Sequence, residues 1–138
     1  MRSAKRYARV DATVLITGET GVGKDALARV IHAASPRRRD PFVTVDCAGL
    51  PGSLVESELF GHERGAFTDA TTARVGRFEA AGRGTLYLDA ITSLSPAAQA
   101  AILRAVEERQ VVRLGGNAEI PVQARLLASA PEDVAALV

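Results

Sequence analysis

Gly18-Glu19-Thr20-Gly21-Val22-Gly23-Lys24-Asp25 decides how the rest of this chain is read. It follows a compact apolar run, Thr13-Val14-Leu15-Ile16-Thr17, and leads into Ala26-Leu27-Ala28-Arg29-Val30-Ile31-His32, which has helical character. Strand, glycine-rich turn and helix, in that order, are the setting in which a GxxxxGK match means a phosphate cradle. Glycines allow positive φ and let several N–H groups approach phosphate oxygens with no Cβ in the way. The new helix contributes its positive end, and Lys24 a point charge for the terminal phosphates. Residues Gly18 to Asp25 are therefore the expected nucleotide-binding loop. Asp25 stands where Ser or Thr would offer a hydroxyl to Mg²⁺. A carboxylate suits a hard cation but repels phosphate, so it acts either through water or as a helix-start residue.

The bulk of the chain fits one soluble domain. Its 138 residues are enough to bury a real core, and 47% hydrophobic with 24% charged residues is ordinary for a globular protein. A net charge of +1 gives no reason to expect a nucleic-acid or membrane surface. Arg37-Arg38-Arg39, flanked by Pro36 and Pro41, reads as a solvated loop. The single Cys47 excludes an internal disulfide, fits a reducing cytoplasm, and reads as a buried small residue. With no apolar run of membrane length and no signal-peptide core, a cytoplasmic location is expected.

The organisation that follows is a basic lead-in over 1–12 and one α/β unit over 13–138. The first helix ends near Ala34, before Ser35-Pro36. Phe42-Val43-Thr44-Val45 is the second strand, and Pro51 opens a helix to Phe60-Gly61. Residues 61–76 lack a sustained period and read as a loop or broken helix. A short helix, Arg77 to Ala81, precedes the strand Thr85-Leu86-Tyr87-Leu88-Asp89. Ser95-Pro96 starts a helix to Glu108, with Ile102, Leu103 and Val106 on one face. Val111 to Leu114 and Ile120 to Val122 suggest a hairpin, Arg125 to Ser129 a further strand, and Glu132 another helix. Alternating strands and helices imply a parallel sheet covered on both faces, with ligands beyond the strands' C-terminal ends.

A phosphate cradle needs a carboxylate on a neighbouring strand for Mg²⁺ or its waters, and Asp89 alone has that placement. Asp25 and Asp89 are thus the candidate metal residues. Hydrolysis further needs a base for the attacking water, and the position where the strand would aim it is Ala90, which has no lone pair. His32 and His62 read as structural, since neither has a second ligand at metal spacing.

These motifs resemble the central AAA+ ATPase domain of bacterial sigma-54-dependent transcriptional activators. The similarity runs from about Val10 to Val138 and includes GETGVGKD at 18–25, SPRRRDPF at 35–42, VDCAGL at 45–50 and ESELFGHERGAFTDA at 56–70. It continues through GRFEAAGRGTLYLDA at 76–90 and Arg113-Leu114-Gly115-Gly116. The resemblance implies a P-loop three-layer sandwich and ATP with Mg²⁺ as cofactors. It implies a ring, homo- or hetero-oligomeric, that drives a loop against the sigma-54 factor of RNA polymerase. That loop is Gly65-Ala66-Phe67-Thr68-Asp69-Ala70, with Phe67 as the exposed apolar contact. Glu19 and an acidic residue after the lysine look typical of the family.

Several working positions depart from the family's pattern. Its Asp-Glu pair is Asp89-Ala90 here, its second-strand Asn is Asp46, and its loop's second Gly is Asp69. Its Thr-Asn sensor after the fourth strand is Ala130-Pro131, and the arginine fingers and helical lid lie beyond Val138. No regulatory receiver or helix-turn-helix domain fits in this length, so direct DNA binding is not expected. Loss of a general base costs about a hundred- to ten-thousand-fold in rate, and of trans arginine fingers about a further thousand-fold or more. The leading expectation is an ATP-binding domain of transcription regulation with weak or absent hydrolysis. A working activator module with Asp46 or Glu58 as the base is the second reading. A dinucleotide-binding domain, with Gly21-x-Gly23-x-x-Ala26 and Asp46 as its fingerprint, is a distant third.

Overall fold

The computed structural model describes residues 12–18, 23–68 and 70–131. Four parallel strands form the central sheet. β1 is Val14–Thr17, β2 is Phe42–Asp46, β5 is Thr85–Asp89 and β8 is Arg125–Ala130, in the spatial order β1-β8-β5-β2. β5 and β8 hold the middle and are buried almost throughout, whereas β1 and β2 alternate between buried and exposed. That is the expected difference between a strand covered on both faces and one with an open side.

Pleat alternation divides the core in two. On one face Ile16, Tyr87 and Leu127 meet Ala28 and Ile31 of α1 (Lys24–Ala33). On the other, Leu86, Leu88 and Leu126 pack with Leu59 and Phe60 of α2 (Val55–Phe60), Phe78 of α3 (Arg77–Ala80) and Ile102 of α4 (Pro96–Glu108). The three-layer α/β architecture expected from the sequence is therefore present. The strand order also removes the dinucleotide-binding arrangement, in which the acidic second strand lies beside the first. Here β8 and β5 stand between β1 and β2.

Local signals held where they were local. The Ser95 hydroxyl accepts from Ala98 N at 3.1 Å, capping α4 as the Ser-Pro pair suggests. Four expectations need correction. Leu103 is 58% exposed, and α4 buries Ala98, Ile102 and Ala105 instead, because Leu103 lies about 100° around the helix from Ile102. Pro51 precedes a 3₁₀ turn, Gly52–Leu54, and the α-helix begins only at Val55. Within 61–76, Gly61–His62 (β3) and Arg74–Val75 (β4) pair antiparallel and close a loop between them. The later hairpin is confined to Gln110–Val111 (β6) and Ile120–Pro121 (β7), since Leu114 is drawn away to bridge His62. The helix expected from Glu132 lies outside the described residues.

The triple-arginine stretch is not wholly solvated. One Arg37 nitrogen donates to the carbonyls of Arg83 (2.6 Å) and Gln123 (2.7 Å), tying together loops at the N-terminal ends of the strands. Arg38 and Arg39 are exposed as expected.

His32 is a structural residue. A carbonyl can only accept, so Nε2 carries the proton to Asp40 O (3.0 Å), and Nδ1 accepts from the Thr85 hydroxyl (2.7 Å). Burial lowers its pKa, against smaller upward pulls from the bond to the Asp40 backbone and from the Asp40 charge. The unfolded chain therefore takes up this proton at a higher pH than the folded chain does. Stability is retained above the ordinary value of 6.5 and is lost as pH falls below it. The urea midpoint should drop between pH 7.5 and 5.5, and His32→Gln should flatten that slope; an equal slope in the variant would remove His32 as its source.

No helix among the described residues is long and apolar enough to cross a membrane.

Candidate functional site

The four parallel strands point their C-terminal ends at one cleft of ≈ 630 Å³. Its walls include Gly23, Lys24 and Asp25 from the start of α1, Asp46 from β2 and Asp89 from β5. Ala90 and Pro131, the residues just beyond β5 and β8, also line it. The phosphate-loop half and the strand-carboxylate half of the sequence prediction thus share one site. Glu19, Thr20, Gly21 and Val22 lie outside the described residues.

Gly23 is the hinge on which helix α1 begins. Its φ of 81° is left-handed, and Leu27 N already donates to its carbonyl at 3.0 Å. A residue with Cβ would be strained there. No side chain caps the helix, so the first-turn N–H groups are left for a ligand. Lys24 Nζ donates to the carbonyls of Gly18 (2.8 Å) and Ala130 (3.3 Å), and Gly18 N also donates to Ala130 O (3.3 Å). The lysine therefore links both ends of the loop to the end of β8. With three donors on the ammonium, one remains for a third acceptor.

Asp89 is held on one side only. Its Oδ1 accepts from the Ser129 hydroxyl at 2.6 Å, with the Tyr87 hydroxyl at 3.4 Å. The Ser129 oxygen in turn accepts from Ala90 N at 2.9 Å. That bond steadies Ala90 in a left-handed conformation, φ 59° and ψ 52°, which is unusual for a residue with a side chain. In the sequence Ser129 is only the end of a strand, and its one signal is a lone hydroxyl closing an apolar run.

The electrostatics agree with crowding of acids around this end of the sheet. Burial pushes the Tyr87 hydroxyl up to about 12, offset by its bond with Ser129 and reinforced by the charges of Asp89 and Asp25. Cys47 is 3% exposed, and its thiol is pushed up to about 11, first by burial and then by Asp89 and Asp46. It is an inert core residue, as expected. Among the described residues, no group of three or more His, Cys, Asp or Glu could hold a metal ion by itself.

Glu58 is elsewhere. Its oxygens pair with Arg74 (2.9 Å) and Arg77 (3.3 Å), between α2, β4 and α3, and it does not line the cleft. The second reading therefore keeps Asp46 and loses Glu58.

The glycine-rich loop forms its own small structure between β3 and β4. Gly65 N donates to Ala70 O (2.8 Å) and Ala70 N to Phe67 O (2.9 Å), so the segment turns back on itself. Ala70 is buried, while Phe67 is 40% exposed with its ring edge-on to His62 at 5.0 Å. Ala66 is half-buried, Thr68 is exposed, and Asp69 lies outside the described residues. His62 Nε2 donates to Thr72 O (2.9 Å), leaving Nδ1 to accept from the Ser57 hydroxyl (2.7 Å). The base of the loop is clasped by Arg113, which pairs with Glu79 (2.8 Å) and Glu63 (3.3 Å).

Comparison with known proteins agrees with this geometry. The family model described as the sigma-54 interaction domain matches residues 1–138. The DNA-binding transcriptional activator HyfR of Escherichia coli K12 is 52% identical over 127 residues, covering 92% of this chain and 19% of that protein. The transcriptional regulatory protein ZraR of the same strain is 54% identical over 126 residues, covering 91% and 29% respectively. Among solved structures, NtrX from Brucella abortus superposes with a TM-score of 0.89 at 35% identity, over 99% of this chain and 30% of its own. Its complex with ATP gives 0.87 at 34% identity, over 99% and 29%. The chain thus spans between 19% and 30% of the length of these relatives. With its parallel sheet, the helix that starts at Lys24 and its clasped glycine-rich loop, the chain belongs to the sigma-54 interaction domain family.

Proposed function

We propose that this chain binds ATP with Mg²⁺ and acts in sigma-54-dependent transcription regulation, with slow hydrolysis. The observation that carries the reading is the convergence of the start of α1, Lys24 and Asp89 on one cleft at the C-terminal strand ends. In this assignment Gly18 to Asp25 cradle the phosphates, and Lys24 neutralises the terminal ones. The donor set fits Mg²⁺: Asp89 has one oxygen engaged by Ser129 and the other available, and Asp25 lies nearby. A small hard cation that keeps several waters needs only such sparse protein ligation. Bound there, Mg²⁺ would neutralise charge on the β- and γ-phosphates. The ATP complex of NtrX, a structure similar over 99% of this chain, supports nucleotide binding.

Slow turnover follows from Ala90, which offers no base. The fitting assay is calorimetric titration with ATP–Mg²⁺, ADP and NADH, followed by phosphate release on the same sample. ATP should bind and NADH should not, and tighter NADH binding would overturn the assignment.

The partner surface in this reading is Gly65 to Ala70. Phe67 presents a large exposed ring supported from behind by His62. Asp69 adds a charge where an apolar contact is wanted. Asp69→Gly should raise capture of sigma-54 RNA polymerase in a pull-down, and Phe67→Ala should reduce it. Equal capture by all three forms would remove the loop from this role. Ring assembly belongs to the same proposal, as does the division into a 1–12 lead-in and a nucleotide-binding subdomain over 13–138.

A further inference from the structure

We propose that Asp46 carries the water-activating carboxylate of this site, a role that Ala90 cannot fill. The inference rests on the ATP reading above and adds a catalytic residue to it.

Strand register brings Asp46 to the right place. Asp46 and Asp89 are direct partners across the parallel pair β2–β5, so their backbones lie about 4.8 Å apart and their side chains leave the same face. Both line the cleft that also receives Lys24 and the start of α1. Electrostatic coupling of Cys47 to Asp89 and Asp46 agrees with two carboxylates at this sheet end.

The Asp46 carboxylate is also uncommitted. Aspartate before a turn normally caps it. Here the 3₁₀ turn Cys47–Gly49 receives no side-chain cap from Asp46. The residue is exposed, and no hydrogen bond or ion pair involves its side chain among the described residues. Gly49 leaves it room: a Cβ there would stand 2.8 Å from Asp46 Oδ2. The other acids are occupied differently. Asp89 accepts from Ser129, Glu58 is ion-paired away from the cleft, and Asp25 sits in the first turn beside the phosphate-binding lysine.

An alanine at 90 makes this arrangement workable. Two carboxylates aimed at one water would repel and raise each other's pKa. With Ala90, β5 brings only Asp89 to the cleft, and that carboxylate is engaged by Ser129 while the Asp46 carboxylate opposite it is not. In the reaction the oxygen of a water bonds to the γ-phosphorus while the bond from that phosphorus to the β–γ bridging oxygen breaks. The water's proton passes to the Asp46 carboxylate and then to solvent, and ADP and inorganic phosphate leave.

The decisive experiment measures ATP–Mg²⁺ affinity and phosphate release together for the whole chain and four variants: Lys24→Ala, Asp46→Asn, Ala90→Glu and Asp46→Asn with Ala90→Glu. Asparagine keeps the size and turn preference of aspartate but cannot take a proton, so a merely structural role would survive it. Expected results are slow release above the Lys24→Ala level, and its fall to that level in Asp46→Asn with ATP affinity within about threefold of the parent. The double variant, with a carboxylate returned at 90, should recover release, and Ala90→Glu alone should gain less than the double variant because its two acids repel. ATP binding with no release above the Lys24→Ala level would overturn the proposal. So would unchanged release in Asp46→Asn, loss of ATP binding in that variant, or no recovery in the double variant. Failure of the parent chain to bind ATP would instead overturn the nucleotide reading itself.

Discussion

Lys24→Ala should weaken ATP–Mg²⁺ binding by about ten- to a hundred-fold while leaving the fold intact. A hydrogen bond to a charged group contributes about 1.5–3 kcal/mol, and each 1.4 kcal/mol is about tenfold in affinity. The ammonium already spans Gly18 O and Ala130 O, so it is oriented before any nucleotide arrives. Its removal also deletes one bond within the loop and one to the end of β8, a loss that the core tolerates. Titration calorimetry gives the affinity, and circular dichroism checks the fold. Equal affinity in the variant would mean that the loop does not hold the terminal phosphates.

The largest stability effect is expected at Gly84. A Cβ there would lie 1.9 Å from Pro41 O, 2.8 Å from Pro41 C and 2.9 Å from Pro41 N, all backbone atoms. The neighbouring bonds, Thr85 N to Pro41 O and Arg125 N to Gly84 O, both 2.9 Å, lock β2, β5 and β8 together at this point. Relief would require the start of β2 to move away from the central strand. Gly84→Ala should therefore cost about 3 kcal/mol or more, above ordinary overpacking. For a domain near this size that lowers the melting temperature by about 10 °C or more. Gly52→Ala is the control, since a Cβ at Gly52 meets nothing within 4 Å. Similar melting temperatures for the two variants would contradict the close approach at Gly84.

Much of the local structure was legible from local pattern. The strand–turn–helix around Lys24, the apolar strand ending at Asp89 and the Ser95-Pro96 cap each depend on residues within one or two turns of chain. Two of the errors fell where a distant partner intervened. Leu114 has the character of a hairpin residue, yet His62, fifty-two positions earlier, takes it as a bridge partner. Residues 61–76 carry no period of their own, and their ends are held by ion pairs: Glu58 with Arg74 and Arg77, and Arg113 with Glu63 and Glu79. Ser129 looked like one more strand residue until β5 and β8 lay side by side.

From sequence alone came the glycine-rich turn before α1, the acid that ends β5, Ala90 beside it and the family likeness. All of these are short-range patterns, set by glycine conformation, helix starts and pleat alternation. Only the tertiary structure decided that β2 lies next to β5, far from β1, that Asp46 stands opposite Asp89, and that Glu58 belongs to an ion-pair cluster. Strand order and register arise from burying the two sheet faces against helices remote in sequence, and no local propensity encodes which acid meets which.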